Sequence, residues 1–399
     1  LYKFPLLLFI KNLFRFFLIG IWHAILTIKN FNLYLKNCYN KTIFLSLSKN
    51  NYNVLEPLYN QFKNEKVFIS TDYRNNKEYL LLTKFFPFII SLFFLPLNLI
   101  KIPFLNKSIK KRTILFLHEY LLNDGYNIFF DIFLKYKNPS KIVIANDHVQ
   151  ITRIIIKKAK KYNIKTYYLQ NGCITKIFPI LSTDYALLEG DYSKDIYSIK
   201  NLNKTKIKII GMTKVDNHSY SLNNKSTLHS IGICTTATTA FNDIEKMIDF
   251  LLKHFKNINF FLRPHPSEMI ENKYKTFYNH SSVKISNSNK THPIEFLNNV
   301  DLIISGNSAI LLEAALMNIY PIYFFTDNNI EKYNDKNFDR YGFIKNKLAK
   351  EATSLEDLKI IINNVINAKP NIVQNAIYYC DHLKNKDSLT KANSIIANT

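Results

Sequence analysis

Short apolar runs, each ended by polar residues and followed by a stretch of helical periodicity, recur along this chain. Residues 42–48 and 66–71 read as the first strands, followed by 113–117, 141–145, 165–169, 184–188 and 206–211. Residues 149–163 read as a basic amphipathic helix. A polar stretch over 216–226 interrupts the alternation and reads as an interdomain linker. The alternation then resumes with strands at 230–234, 258–262, 283–285, 300–304 and 321–325, helices at 243–255 and 309–316, and a tail, helical over 354–368, that wraps back. Strands alternating with helices predict parallel sheets covered on both faces. Two such series predict two doubly wound α/β domains facing a cleft, over residues 41–215 and 227–399.

Two apolar stretches stand outside this alternation. Residues 1–40 form an apolar N-terminal segment whose core, LLLFIKNLFRFFLI at 6–19, carries Lys11 and Arg15. Cations on an otherwise aromatic and aliphatic helix suit a helix lying at a membrane interface, and no small-residue cleavage site follows, which argues against a signal peptide. Residues 85–105, inserted in the first domain, are long enough to cross a bilayer but contain three prolines and Lys101. They read as a membrane-dipping or acceptor-side hairpin, with a buried core segment as the alternative.

Composition narrows the partners. The 399 residues contain 53 Lys and Arg against 30 Asp and Glu, a formal net charge of +23, which favours an anionic partner. A composition rich in Lys, Asn and Ile, typical of AT-rich coding, supplies part of that charge without any partner. Zinc-finger, helix-turn-helix and RNP-like patterns are missing, so nucleic acid is not the expected partner; an anionic membrane surface is. Cys38, Cys173, Cys234 and Cys380 are scattered, which predicts neither a disulfide framework nor a zinc site and fits a reducing cytosol.

Chemistry-bearing residues concentrate at the ends of strands, where such sheets bind ligands. In the second half, 258–262 runs into Arg263-Pro264-His265-Pro266, and 300–304 runs into Ser305-Gly306-Asn307-Ser308, which opens the predicted helix. Arg263 offers a planar fork for phosphate oxygens. The prolines stiffen the backbone around His265, whose imidazole can donate to a phosphate or protonate a leaving phosphate oxygen; a capping or core histidine is the alternative. Ser305, Asn307 and Ser308 add short polar side chains, Gly306 permits close approach, and the helix start adds positive potential. Glu313 either accepts bonds from ribose hydroxyls or is a solvated helix charge. Thr235, Thr236, Thr238 and Thr239 form a further polar loop at the same edge, or an ordinary turn.

The RPHP and Ser-Gly-Asn-Ser…Glu-Ala-Ala segments resemble the donor half of GT-B glycosyltransferases, closest to bacterial surface-polysaccharide enzymes: GT-B sialyltransferases, and Kdo or glycerophosphate transferases of capsule and teichoic-acid assembly. The resemblance covers roughly residues 140–345. It implies two Rossmann-like domains, a CMP- or CDP-linked donor such as activated sialic acid or Kdo, and donor phosphate held by His265, Ser305 and Ser308. It also implies a glycan or lipid-linked glycan acceptor of capsule or lipooligosaccharide, on the inner face of the cytoplasmic membrane. Asn307-Ser308 stands where the sialyltransferase pattern has paired Ser/Thr.

The first half is then expected to bind acceptor and supply a base. Asp147, in Asn146-Asp147-His148 after the 141–145 strand, is the first choice, with His148 assisting. Asn123-Asp124-Gly125 resembles the acidic-Asp-Gly motif whose Asp is the general base of GT-B sialyltransferases, with Asn123 replacing the acidic residue; Asp124 is the second choice and an Asn-Asp-Gly turn the alternative. Gln170-Asn171-Gly172 resembles the Gln-His-Gly of related surface-polysaccharide proteins, with Asn171 replacing His. Glu119, beside His118, is a further acceptor-side candidate. No cofactor or bound metal is expected, because Arg, His and a helix start can neutralise a leaving phosphate. The alternatives are a UDP-N-acetylglucosamine 2-epimerase-like enzyme and a non-catalytic, membrane-associated polysaccharide-assembly protein.

Overall fold

In the computed structural model, which describes residues 5–29, 37–71, 79–199, 205–216, 222–225, 227–236, 241–269, 274–277, 280–324, 338–380 and 387–399, the strands form two parallel sheets. The first has seven strands in the order β3-β2-β1-β4-β5-β6-β7: β1 Thr42–Ser46, β2 Lys66–Ser70, β3 Leu80–Leu81, β4 Lys141–Ile144, β5 Lys165–Leu169, β6 Tyr185–Leu188 and β7 Lys206–Ile209. The second has six strands in the order β10-β9-β8-β11-β12-β13: β8 Ser230–Cys234, β9 Asn259–Arg263, β10 Val283–Ile285, β11 Leu302–Ser305, β12 Tyr320–Phe324 and β13 Lys350–Ala352. Both reverse direction of growth after their third strand, so each has a switch point, between β1 and β4 and between β8 and β11. β3 and β13 are too short to show as apolar runs, and the sequence pattern does not reveal them.

The apolar N-terminal segment and the insertion form one layer on the first sheet. α1 (Pro5–Lys29) packs against α3 (Phe85–Lys101), α4 (Lys107–Leu115) and α5 (Leu117–Lys137). The insertion is a single helix rather than a hairpin: Pro87 lies in the first turn, where its N–H is not needed, Pro96 is accommodated within the helix, and Pro103 falls in a following 3-10 turn. Phe16 and Phe88 meet with ring centroids 5.0 Å apart. A Cβ on Gly125 would lie 1.8 Å from the Pro87 carbonyl oxygen, so glycine is what lets α5 and α3 touch.

Residues 113–117 are helical, not a strand: they close α4 and open α5, with a break at Phe116. A five-residue apolar run carries no period of its own. Here Asn106 caps α4 by accepting from Ile109 N at 2.9 Å, and Asn12 of α1 donates to the Ile114 and Leu115 carbonyls at the break, at 3.0 and 3.2 Å.

The other face of the first sheet is covered by α2 (Lys49–Gln61) and by the last helix, α14 (Ser388–Asn398). Leu389, Ala392 and Ile396 of α14 are buried with Phe44, Leu55 and Tyr167, and Leu389 N donates to Asp216 Oδ2 at 2.7 Å. The wrapping tail therefore ends on the first domain, beyond the expected division at residue 227. α6 (Gln150–Lys161) is the predicted basic amphipathic helix. In the second domain α9 (Phe241–His254) and α12 (Leu355–Asn367) cover one face of the sheet. A further cluster joins the domains: Tyr168, Ile174, Leu181 and Met212 of the first are buried with Cys234, Ile310, Leu311 and Tyr379 of the second. Residues 217–221 and 226 of the expected linker lie outside the described residues, as does Phe325 of the expected last strand. Asn223, near the end of the expected linker, is already tied to the second domain, donating to Asp301 Oδ1 at 2.9 Å.

Candidate active-site cleft

On the second sheet, the loop after β9 is anchored from beneath. Thr235, following β8, donates to the buried Glu268 carboxylate and accepts from His265 N at 2.8 Å. Glu268 Oε2 also accepts from His265 N at 3.1 Å. The imidazole of His265 is half-buried and bonds Ser267 Oγ through Nδ1 at 2.7 Å. Burial lowers its pKa from the ordinary histidine value, against the opposing pull of Glu268. A neutral imidazole can donate a hydrogen bond to a phosphate through one ring nitrogen while the other accepts one.

Arg263 is placed differently from expectation. Its guanidinium is buried, donates to Ser286 Oγ at 3.3 Å and to the Thr291 carbonyl at 2.9 Å, and lies 5.4 Å from the centre of the Phe296 ring. It joins β9 to the segment before α10 (Pro293–Leu297). Ser305 is likewise used within the sheet, donating to the Cys234 carbonyl at 2.9 Å. Gly306, Asn307 and Ser308 form the turn into α11 (Ile310–Leu316), and all three are partly exposed. Asn307 Oδ1 accepts from Arg340 N at 3.2 Å, which brings an exposed arginine beside this turn. Thr236 is described but Thr238 and Thr239 are not.

Glu313, in the first turn of α11, is buried, not solvated. It pairs with Lys214 of α8 (Thr213–Asp216), which follows the last strand of the first sheet. Beside this pair lies Glu189, one residue past β6 and also buried. Burial raises its pKa to about 7, with Lys214 lowering it and Glu313 raising it. Gln170, at the end of β5, aligns it: Gln170 Oε1 accepts from Glu189 N at 2.9 Å, and Nε2 donates to Glu189 Oε2 at 3.1 Å and to the Gly172 carbonyl at 2.9 Å. Gly172 takes φ of +109°, a conformation side chains disfavour, and the space where a Cβ would stand is open. Asn171 is half-buried in the same loop. Cys173 completes the group; burial pushes its thiol up, with Glu189 adding to the shift.

At the switch point of the first sheet, Asp147 is buried and His148 partly exposed, with Asp147 Oδ1 3.6 Å from His148 Nδ1. The other two acceptor-side acids lie apart from these strand ends. Asp124 is in the middle of α5, not in a turn, and accepts from Asn98 of α3 at 2.8 Å. Glu119 is exposed in the first turn of α5, where its charge acts on Lys84 and His118 in the apolar layer. At the carboxyl ends of the second sheet's strands stand His265, Thr235 and the 306–308 turn, and at those of the first stand Asp147, His148, Gln170, Gly172 and Glu189; Lys214 and Glu313, with Glu189 beside them, link the two domains. Glu189, Lys214, Glu268 and Arg340 are absent from the sequence reading. Glu189 ends a predicted strand and was open to the same rule that picked out Asp147; Lys214 carries no local signal, because its partner is in the other domain.

Two parallel doubly wound domains meeting across such a cleft define the GT-B fold, and this chain has it. Among solved structures, that of the wall teichoic acid polymerase TagF is similar, with a TM-score of 0.56, 14% identity, and coverage of 98% of this chain and 97% of that one. UDP-GlcNAc 2-epimerase from Methanocaldococcus jannaschii is also similar (TM-score 0.55, 13% identity, 90% of this chain and 100% of that one). So is S. aureus MnaA in complex with UDP (TM-score 0.55, 9% identity, 88% and 95%). No protein-family profile and no curated sequence matches the chain.

Proposed function

We propose that the protein transfers a group from a nucleotide-activated donor to a surface-glycan acceptor at an anionic membrane, on its cytoplasmic face. The donor nucleotide occupies the second domain, with its phosphates at His265, Thr235 and the Gly306–Ser308 turn and a ribose at Glu313. The acceptor enters over the first domain. A CMP- or CDP-linked sugar is the donor that the RPHP resemblance favours.

The observation that carries this reading is the apolar layer. Phe14, Leu18, Ile21 and Trp22 of α1 and Phe93, Leu97 and Ile100 of α3 are exposed, with Phe104 just beyond. Lys11 and Arg15 are exposed on α1, Lys101 closes α3, and Lys107 and Arg112 are exposed on the following α4. An exposed apolar face edged by cations suits the surface of an anionic bilayer. A membrane-bound acceptor gives that face a purpose.

A second reading, UDP-N-acetylglucosamine 2-epimerisation, is favoured by the two buried cleft carboxylates, Glu189 and Glu313, since such chemistry needs acids and bases around the donor sugar. Thermal-shift titration with CMP, CDP and UDP, followed by mass spectrometry of products from CMP-, CDP- and UDP-sugars with membrane acceptors, separates the readings. Stabilisation by cytidine nucleotides and a mass gain on the acceptor support transfer. Response to UDP alone, with an isomerised sugar and unmodified acceptor, moves the assignment to the epimerase.

A further inference from the structure

We propose that His148 is the proton acceptor of the first domain and that Asp147 is a positioning residue acting through it; the assignment rests on the transferase reading above. Asp147 and His148 follow β4, at the point where the strand order of the first sheet reverses. Asp147 is 0% exposed, and among the described residues neither of its oxygens accepts a hydrogen bond. A carboxyl group buried that far cannot touch an acceptor hydroxyl. Left without hydrogen bonds, it is also costly, by about 1–3 kcal/mol or more. Its ion-pair partner is His148, whose Nδ1 lies 3.6 Å from Oδ1. That separation exceeds a hydrogen bond, and a small movement of either side chain closes it, as is common in sites without ligand.

The rest of the histidine is held in place. Asn146 Oδ1 accepts from His148 N at 3.0 Å and from Val149 N at 3.3 Å, which sets the backbone. One ring face packs on Phe178, with centroids 4.8 Å apart. Phe178 itself packs against the buried cluster that joins the two domains, so the ring stands near the cleft. The histidine side chain is 34% exposed. With a carboxyl group beside Nδ1, the proton of a neutral ring belongs on Nδ1, and the lone pair on Nε2 is left for a ligand. In the transfer step the acceptor O–H proton passes to Nε2. The oxygen's electron pair forms the new bond to the donor carbon, and the bond from that carbon to the phosphate oxygen breaks, its electrons leaving with the nucleotide.

Two measurements test this. Two-bond 1H–15N spectra of ring-labelled full-length protein are expected to show the Nδ1–H tautomer at His148, and Asp147→Asn is expected to shift it toward Nε2–H; identical spectra overturn the pairing. His148→Gly is expected to lose turnover by about 10²-fold or more, to keep its nucleotide response in thermal shift, and to regain turnover when imidazole is added. A glycine variant as active as the parent, or one that imidazole does not restore, overturns the assignment. If the parent protein transfers from no donor, the transferase reading fails, and the tautomer comparison still decides whether Asp147 orients His148.

Discussion

Lys214, in the short helix that follows the first sheet, forms an ion pair across the cleft with Glu313, in the first turn of α11. The two side chains are only 20% and 7% exposed, so each depends on the other for compensation of its lost hydration. Any ligand whose hydroxyls bond Glu313 has to compete with Lys214. Glu313→Gln is therefore expected to destabilise the protein by about 3 kcal/mol, and Glu313→Leu combined with Lys214→Met to cost clearly less than the sum of the singles. Urea unfolding of the cycle checks this; additive losses would show that the pair is not coupled.

Glu189 gives the protein a pH-dependent stability term. Its folded pKa is raised by burial from 4.5 to about 7, so the folded state holds its proton more tightly than the unfolded chain. The unfolded state therefore binds fewer protons in that window, and this stabilisation is complete below about 4.5 and lost as pH rises through about 7. The melting-temperature difference between the parent and Glu189→Gln should change with pH across that range, in the parent's favour on the acid side. A flat difference would contradict the raised value.

His265→Ala should lower turnover about tenfold or more while leaving the fold intact, because its backbone N–H, not its ring, is what Thr235 and Glu268 hold. Turnover against the best donor, with circular dichroism as the control, measures this. Unchanged turnover removes His265 from the phosphate site.

Two glycines should respond to alanine for different reasons. A Cβ on Gly190 would lie 2.2 Å from the Tyr379 carbonyl oxygen, where the segment after α13 (Val373–Ile377) meets the first domain; Gly190→Ala must open that seam. Gly172→Ala meets open space and carries only the strain of its φ of +109°, about 1–2 kcal/mol. Limited proteolysis should therefore speed up at Gly190→Ala far more than at Gly172→Ala, and equal rates would argue against a tight seam.

The apolar layer should bind vesicles containing phosphatidylglycerol, less so at high salt, and bind phosphatidylcholine vesicles weakly. Phe93 and Phe104 are 79% and 84% exposed, so Phe93→Glu with Phe104→Glu should abolish sedimentation with vesicles without lowering the melting temperature. Retained binding by this double variant would place the membrane contact elsewhere.

Much of this molecule could be read from local pattern. The strands that lead to Asn146, Gln170, Arg263 and Ser305 sit within one or two residues of where alternation places them, because buried parallel strands are continuous apolar runs and need no partner to be recognised. Asp147, His148, Gln170, His265 and the 306–308 turn do stand just past strand ends, as the pattern places them. Residues 113–117 misled, since five apolar residues fit strand and helix alike, and it is the Asn106 cap and the packing of α1 that make them helical.

What depended on the fold was the use made of each side chain. Arg263 and Ser305 look, by residue type, like phosphate ligands, yet neighbouring loops and strands claim both. Asp124 and Gly125 look like a turn, yet serve the contact between α5 and α3. The order of apolar and polar residues determined the two-domain α/β architecture and the rows of residues at its ligand-binding edges, because backbone hydrogen bonding and burial obey short-range periodicity. Tertiary structure alone decided that Lys214 meets Glu313, that Glu189 loses water, and that Asp147 is buried beside His148. Charge pairing and desolvation are set by what is near in space, and in this chain the decisive neighbours lie in the other domain or on another strand.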